Sequence, residues 1–334
     1  MKRLRVLVLV YEDFIAPANL DGLTIAEIHR IKTEYDVVST LRARGHDVRQ
    51  LGISDDVRVI RDTIESWTPD IVFNLVEEFA GEAVYDHNVV SFLELLHVPY
   101  TGSNPRGMVI TRDKAISKKL LLYHRIRVPP FFVVRRGRKV RRRIRLDYPL
   151  IVKSLIEESS LGIAKASIVY DEERLAERVQ FIHERIETDA IVESFVAGRE
   201  IYVGVLGNDR LQVLPPLELR IGEDDPDEPL IATAKVKHDP AYQKERDVTI
   251  EETRLGPELD RRLDRIARRA YRALELEGYA RLDFRLTDDG QIYFLEANPN
   301  PDIAASEEVA TAAEIAGIEY PALLEKILRL GLAR

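Results

Sequence analysis

The chain has 334 residues, 45% of them apolar, with 57 acidic and 49 basic side chains and a formal net charge of -8 at pH 7. At roughly 100–200 residues per domain, this length allows two or three domains with cores of their own and excludes a small stapled scaffold. The absence of cysteine excludes disulfides, thiolate zinc, iron–sulfur clusters and a thiol nucleophile, which leaves oxygen- or imidazole-held metals and favours a hard cation such as Mg2+.

Residues 1–10 run from basic to apolar as a signal peptide does, but the apolar stretch is short and meets Tyr11-Glu12-Asp13 at once. No later apolar run approaches the roughly 18 residues of a membrane span. A cytoplasmic protein with no membrane partner is expected, and the acidic balance argues against nucleic-acid affinity.

Residues 4–10 and 46–51 read as strands around a helix over 24–44 that ends at Gly45. A helix over 58–67, a strand over 70–76, a helix through 89–96 and the segment 98–103 complete an α/β unit of about four parallel strands. A helix over 111–125 stops at Val128-Pro129-Pro130. Strands over 131–134, 148–153, 165–170 and 190–195, with a helix over 171–185, then predict a small α+β subdomain.

From Gly198 the pattern turns antiparallel. Strands over 200–206 and 211–217 flank Gly207-Asn208-Asp209, and strands over 280–286 and 291–298 flank Asp289-Gly290. Helices are expected over 256–277 and 320–330, with a long charged loop over 222–246. Residues 135–145 hold eight Lys or Arg in eleven positions; without interleaved aromatics they read as a solvated loop rather than a binding surface.

A two-residue turn at Asp289-Gly290 places Asp283 opposite Glu296 and Arg281 opposite Asn298, with Leu282, Phe284, Leu286, Tyr293, Leu295 and Ala297 on the core face. Facing carboxylates destabilise a sheet by up to about 1 kcal/mol unless a cation joins them. Asp283, Glu296 and the amide oxygen of Asn298 together offer three hard donors for a metal. The spacing alone leaves a second reading, a solvated acidic pair neutralised by Arg281 or Arg285.

Arg281-Leu-Asp-Phe, Asp289-Gly290 and Leu295-Glu-Ala-Asn-Pro-Asn-Pro resemble the closing hairpin of ATP-grasp enzymes of the D-alanine–D-alanine ligase family. Pro99-Tyr-Thr-Gly-Ser103, Arg112-Asp-Lys114, Ile151-Val-Lys153, Ser159-Ser-Leu-Gly162 and Val192-Glu-Ser-Phe-Val-Ala-Gly-Arg-Glu200 occur in the family's order at near-family spacing. The resemblance implies an N-terminal parallel α/β (pre-ATP-grasp) domain over 1–104. A small central α+β lid subdomain over 105–192 and a C-terminal antiparallel α+β subdomain with the metal site over 193–334 would follow.

It also implies an ATP-dependent, ADP-forming carboxylate–amine ligase that forms an amide or peptide bond through an acyl phosphate. Its substrates would be a small carboxylate and an amine, an amino acid or short peptide, and family members commonly dimerise. The cofactors implied are ATP and one or two Mg2+, with Mn2+ as a substitute. Arg281, Ser159 and Lys235 are the expected catalytic residues, and Asp283, Glu296 and Asn298 the metal ligands. Lys114, Lys153, Ser159, Ser160 and Lys235 would meet phosphates. Glu193, Ser194, Phe195, Val196 and Leu295 would surround adenine, and Glu200 the ribose. Glu193 to Val196 is expected as an edge strand whose free N–H and C=O groups read the base.

Taken singly, Lys114 is an ordinary helix lysine, Ser159 and Ser160 an ordinary turn, and Phe195 and Leu295 ordinary core. The chain also departs from the family. Glu158 stands where glycine is usual, Val236 replaces an aromatic residue after the loop lysine, and Glu12 or Asp13 would have to replace a glutamate that holds the first substrate's ammonium. Asp302 and Glu307 stand in the segment that binds the acceptor carboxylate, where Glu307 would repel it. D-alanyl-D-alanine is therefore not the expected product. An authentic D-alanine–D-alanine ligase of peptidoglycan synthesis and a non-catalytic ATP-binding module are the alternatives.

Overall fold

The computed structural model describes residues 2–140, 146–157, 164–222, 231, 233, 236 and 239–334. Strand β1 (Arg5–Tyr11) is central in the first sheet, with β2 (Asp47–Ile53) and β3 (Ile71–Asn74) parallel on either side. Helices α1 (Ile25–Arg30), α2 (Lys32–Ala43), α3 (Arg58–Trp67) and α4 (Asp86–Leu95) connect and cover it. The apolar run in β1 has a direct cause, because both faces are buried. Val6, Val8 and Val10 pack with Val37 and Leu41 of α2 and with Leu324 and Leu328 of the last helix, Tyr320–Leu332. Leu7 and Leu9 pack with Ile60 of α3 and Val90 of α4.

Three expectations change here. The helix expected over 24–44 is broken at Ile31, whose φ of -115° ends α1 and opens α2. The fourth parallel strand is a single bridge from Val72 to Tyr100, because Pro99 offers no N–H and Gly102, at φ +90°, turns the chain away. The helix expected over 111–125 is two, α5 (Pro105–Arg112) and α6 (Lys114–Tyr123). Asn104 caps the first, and the Asp113 carboxylate accepts from the N–H groups of Ala115 and Ile116 to restart the second.

The second sheet is antiparallel and made of β4 (Phe131–Val134), β5 (Leu150–Ser154), β6 (Ile168–Val169) and β7 (Ala190–Ser194) in the order β4-β7-β5-β6. Helix α7 (Glu172–Phe181), capped by Asp171, lays Leu175 and Val179 on it. The strand expected over 165–170 shrinks to β6 because its first residues form a 3-10 turn, Lys165–Ser167. Arg141 to Arg145 of the basic segment lie outside the described residues.

The third sheet comprises β8 (Arg199–Leu206), β9 (Gln212–Val213), β10 (Leu217–Arg220), β11 (Thr249–Glu252), β12 (Tyr279–Leu286) and β13 (Ile292–Asn298). Its order is β11-β10-β8-β12-β13, with β9 on β8. Helices α8 (Pro240–Glu245) and α9 (Pro257–Ala273) fall between β10 and β12, and α10 (Glu308–Ile315) and α11 (Tyr320–Leu332) follow β13. On one face Leu263, Ala267 and Tyr271 of α9 pack against Val203, Leu282 and Phe284. The long charged loop thus carries the short helix α8, and the edge strand β11 follows it. Among the described residues no helix is long and apolar enough to cross a membrane.

The β12–β13 hairpin reaches the expected pairing by a different route. Its loop has three residues, because Thr287 accepts from the N–H of Gly290 and donates its own N–H to the Gln291 carbonyl, with Gly290 at φ +75°. Near the turn Leu286 therefore pairs with Ile292 and Phe284 with Phe294, one residue off the two-residue register. A bulge at Leu295 restores the count, so Asp283 faces Glu296 and Arg281 faces Asn298. The core residues of β13 change accordingly. Ile292, Phe294 and Ala297 are buried, while Tyr293 and Leu295 are half-buried on the other face.

Candidate active site

The bulge lets two consecutive side chains, Leu295 and Glu296, line one cleft, which an unbroken strand forbids. Asp283, 2% exposed, receives both Nε (2.9 Å) and Nη2 (3.1 Å) of Arg281, and Asn298 Nδ2 donates to it at 3.3 Å. Arg281 also donates to Glu308 at 3.0 Å and lies 5.0 Å over the Tyr202 ring. Burial opposes the Arg281 charge, but Asp283 and Glu308 outweigh it and hold the guanidinium's pKa well above its ordinary value. Asp283 faces Glu296, as both readings of the acidic pair require, but Arg281 already neutralises Asp283 and Asn298 turns its amide nitrogen toward it. Among the described residues no three His, Asp or Glu side chains gather as a metal centre, so the Asn298 amide would be the third ligand.

On one side of the hairpin a narrow slot of about 50 Å3 is lined by Lys153, Ser194, Phe195, Val196, Ile231 and Leu295, with Glu193, Glu200, Asp283 and Glu296 around them. The Glu193 carboxylate, 1% exposed, lies 3.2 Å from the Lys118 ammonium and 3.5 Å from that of Lys153. Burial pushes the Glu193 pKa up, but the two lysines, Lys118 and Lys153, outweigh it and hold it below the usual carboxylate value. Burial depresses Lys118, whereas for Lys153 the fields of Glu193, Glu296 and Glu200 overcome burial and raise the pKa. Lys114 donates to the Glu157 carbonyl at 2.6 Å and sits 3.9 Å from Glu296. Glu200 accepts from Arg285 at 2.8 Å and from the Tyr202 hydroxyl at 3.1 Å.

The edge-strand expectation for Glu193 to Val196 fails. β7 lies between β4 and β5, and the N–H groups of Ser194 and Phe195 already bond to the carbonyls of Pro130 and Pro149. A buried acceptor remains nevertheless, since Glu193 Oε1 receives no hydrogen bond of good geometry despite the nearby Lys118.

On the other side of the hairpin Arg281 and Asn298 face a cavity of about 800 Å3. Its walls come from the surroundings of the first and third sheets: Lys32, Thr33 and Glu34 of α2, Asp86 and Arg112, Tyr202, Tyr279, and the Pro299–Glu308 stretch. Glu307, expected to repel a carboxylate, is instead ion-paired with Lys32, and the Thr33 hydroxyl donates to Asp302. Neither Glu12 nor Asp13 lines this cavity; both lie in an exposed 3-10 turn where Asp13 pairs with Arg30 at 3.1 Å. Ser159, Ser160, Lys235, Glu158 and His238 lie outside the described residues.

Sequence reasoning missed Lys118, Lys32 and Glu34, and named Arg285 only as a neutraliser of the acidic pair, whereas it donates to Glu200. Lys118 sits four residues after Lys114, on the same face of α6, and that spacing was the available signal. Lys32 and Glu34 gave none, because Lys32 reaches Glu307, and Glu34 lies near Asp302, across some 270 residues of chain.

Two antiparallel sheets with a narrow slot between them, beside a parallel α/β unit, are the architecture of an ATP-grasp carboxylate–amine ligase. The D-alanine–D-alanine ligase from Bacillus anthracis, solved with ATP, superimposes with a TM-score of 0.75 at 24% identity over 99% of this chain and 98% of that one. The VanG D-Ala:D-Ser ligase from Enterococcus faecalis gives 0.73 at 19% identity over 99% and 100%. The D-ala D-ala ligase C-terminus family model matches residues 120–329. A D-alanine–D-alanine ligase of Desulforudis audaxviator is 30% identical over 94% of this chain and 97% of its own length. An uncharacterized protein of Sinorhizobium fredii is 33% identical over 87% and 85%. The chain belongs to the D-alanine–D-alanine ligase family.

Proposed function

We propose that the chain joins a small carboxylate to an amine, an amino acid or short peptide among them, by phosphorylating the carboxylate with ATP and passing the acyl phosphate to the amine. The observation that carries this reading is that slot and cavity share one hairpin. Asp283 and Glu296 line the slot, while Arg281 and Asn298, their strand neighbours, line the cavity.

In this reading the slot takes ATP. Phe195, Val196 and Leu295 supply apolar walls, the unsatisfied Glu193 Oε1 accepts from an amino group, and Ser194 borders it. Glu200 serves the ribose hydroxyls. Lys114 and Lys153 meet phosphate oxygens, joined by Ser159, Ser160 and Lys235. Asp283, Glu296 and Asn298 would hold one or two Mg2+, which supply positive charge for the triphosphate when bound. Arg281, held charged and fixed in place by Asp283 and Glu308, stabilises the oxyanion that forms at the attacked carbon. The reading divides the chain into residues 1–104, 105–192 and 193–334, a division supported by the separation into three sheets although β7 crosses its second boundary.

Replacing Glu296 with Ala removes a cation ligand from a half-exposed position. Amine-dependent ADP release should fall about a hundredfold or more while the melting temperature stays within a few degrees. Retained turnover would sink the assignment. Incubation with ATP and D-alanine separates this reading from an authentic D-alanine–D-alanine ligase. The Asp302 carboxylate on the cavity wall, in the segment expected to take the acceptor carboxylate, predicts little or no dipeptide.

A further inference from the structure

Resting on the ligase reading, we propose that Glu34, backed by Asp302, recognises an ammonium or guanidinium group on the amine substrate, so that the enzyme selects an amine carrying a second positive charge.

The cavity wall is arranged in pairs. Lys32 is matched to Glu307, Arg112 to Asp86, Arg281 to Asp283 and Glu308, and Arg30 to Asp13 outside the wall. Every lysine and arginine that lines the cavity among the described residues is therefore neutralised before a substrate arrives. Glu34 is different. It lines the cavity at 7% exposure, and among the described residues no other side chain pairs with it and the one hydrogen-bond donor to it is its own backbone N–H. Burying an unmatched carboxylate is costly. The cost shows as a Glu34 pKa pushed up to about 7, by burial first and also by the nearby Asp302 charge.

A cation placed between Glu34 and the cavity removes that cost, whereas a carboxylate there would meet Asp302, Glu307 and Glu308 as well. An apolar group would leave the buried charge unmatched. The position is also fixed. Thr33 ties α2 to Asp302 and Lys32 ties it to Glu307, so the helix turn that presents Glu34 is held to the loop after β13. At about 800 Å3 the cavity has room for an amino acid with a four-carbon side chain besides the carboxylate substrate.

The test compares acceptors of similar size and different charge. Binding of lysine, norleucine and glutamate, each as both enantiomers, is measured calorimetrically on the full chain with Mg2+ and a non-hydrolysable ATP analogue, alongside ADP release with ATP. In one enantiomeric series lysine should bind at least about tenfold more tightly than norleucine, and glutamate should not bind. Glu34→Gln should abolish the lysine preference and Glu34→Asp should retain part of it, with affinity for the nucleotide analogue as the internal control. Norleucine or glutamate binding as well as lysine to the wild-type chain overturns the inference, as does a preference that survives Glu34→Gln. The wild-type comparison stands even where a variant does not fold. If lysine binds selectively through Glu34 but no amine raises ADP release, the ligase reading fails and this one holds. If amines raise ADP release and norleucine leads, the reverse is true.

Discussion

Glu34 shows most directly how a side chain's surroundings set its chemistry. Its folded-state pKa of about 7 exceeds the unfolded value of 4.5, so the folded chain binds more protons between these limits, and stability falls as pH rises through them. The destabilisation is absent below about pH 4.5 and complete above about pH 7. Glu34→Gln removes the charge and should stabilise the free protein by roughly 1–3 kcal/mol at pH 8, with little difference at pH 4.5. Denaturant melts of both chains at the two pH values check this, and equal stabilities at pH 8 would contradict the buried, unmatched charge. Arg281 is the opposite case. It is buried too, but Asp283 and Glu308 match it, so the same burial fixes a charge in place instead of weakening it.

At the scale of the element, the β12–β13 hairpin decides the site. The three-residue loop closed at Gly290 and the bulge at Leu295 each shift the strand by one residue, in opposite senses. Their sum restores the face-to-face placement of Asp283 and Glu296 and turns Leu295 and Glu296 toward the same slot. Deleting Leu295 takes out the extra residue, so the turn register runs on through the strand and Glu296 still faces Asp283. The variant loses only the Leu295 wall of the slot and the added twist of the bulge. It should fold and keep ADP release with a KM for ATP raised roughly severalfold, measured by ADP release and circular dichroism. Loss of turnover by about two orders of magnitude would mean that the bulge does more than set the pairing of the two carboxylates. Helix α6 adds a second lesson. Its cap at Asp113 sets where Lys114 and Lys118 emerge, and from there the two ammonium groups reach Glu157, Leu295 and Glu193.

Across the whole molecule, the last helix closes a circuit. α11 comes from the C-terminal part of the chain yet packs Leu323, Leu324, Ile327 and Leu328 in one core with Val6, Val8 and Val10 of β1. Tyr202, Leu217 and Tyr279 of the third sheet join that same core, so the parallel sheet and the third sheet are held as one body around the cavity. Leu324→Ala, at a fully buried position, should cost roughly 2–5 kcal/mol. Because this core also sets the spacing between α2 and the Pro299–Glu308 stretch, the variant should weaken amine use more than nucleotide binding. Comparison of KM for ATP and for the amine at a permissive temperature tests this, and equal effects on both would count against it.

The residue sequence by itself carried the change from parallel to antiparallel pairing and the family, though it ran α1 with α2 and α5 with α6 together. These rest on apolar runs, turn residues and short motifs, all local signals. It also placed Asp283 opposite Glu296 and Arg281 opposite Asn298, although through a turn of the wrong length whose error the bulge cancelled. Only the tertiary structure showed that β7 is an interior strand and that Arg281 already holds Asp283. It alone showed that Lys118 and Arg285 belong to the slot and that Lys32 neutralises Glu307 while Glu34 stands unmatched. The reason is physical. A pKa, an ion pair or a cavity wall depends on which groups are brought within a few ångströms after water is removed, and here those groups come from α2 and from the loop after β13, far apart in the chain. Local spacing carries no record of that meeting.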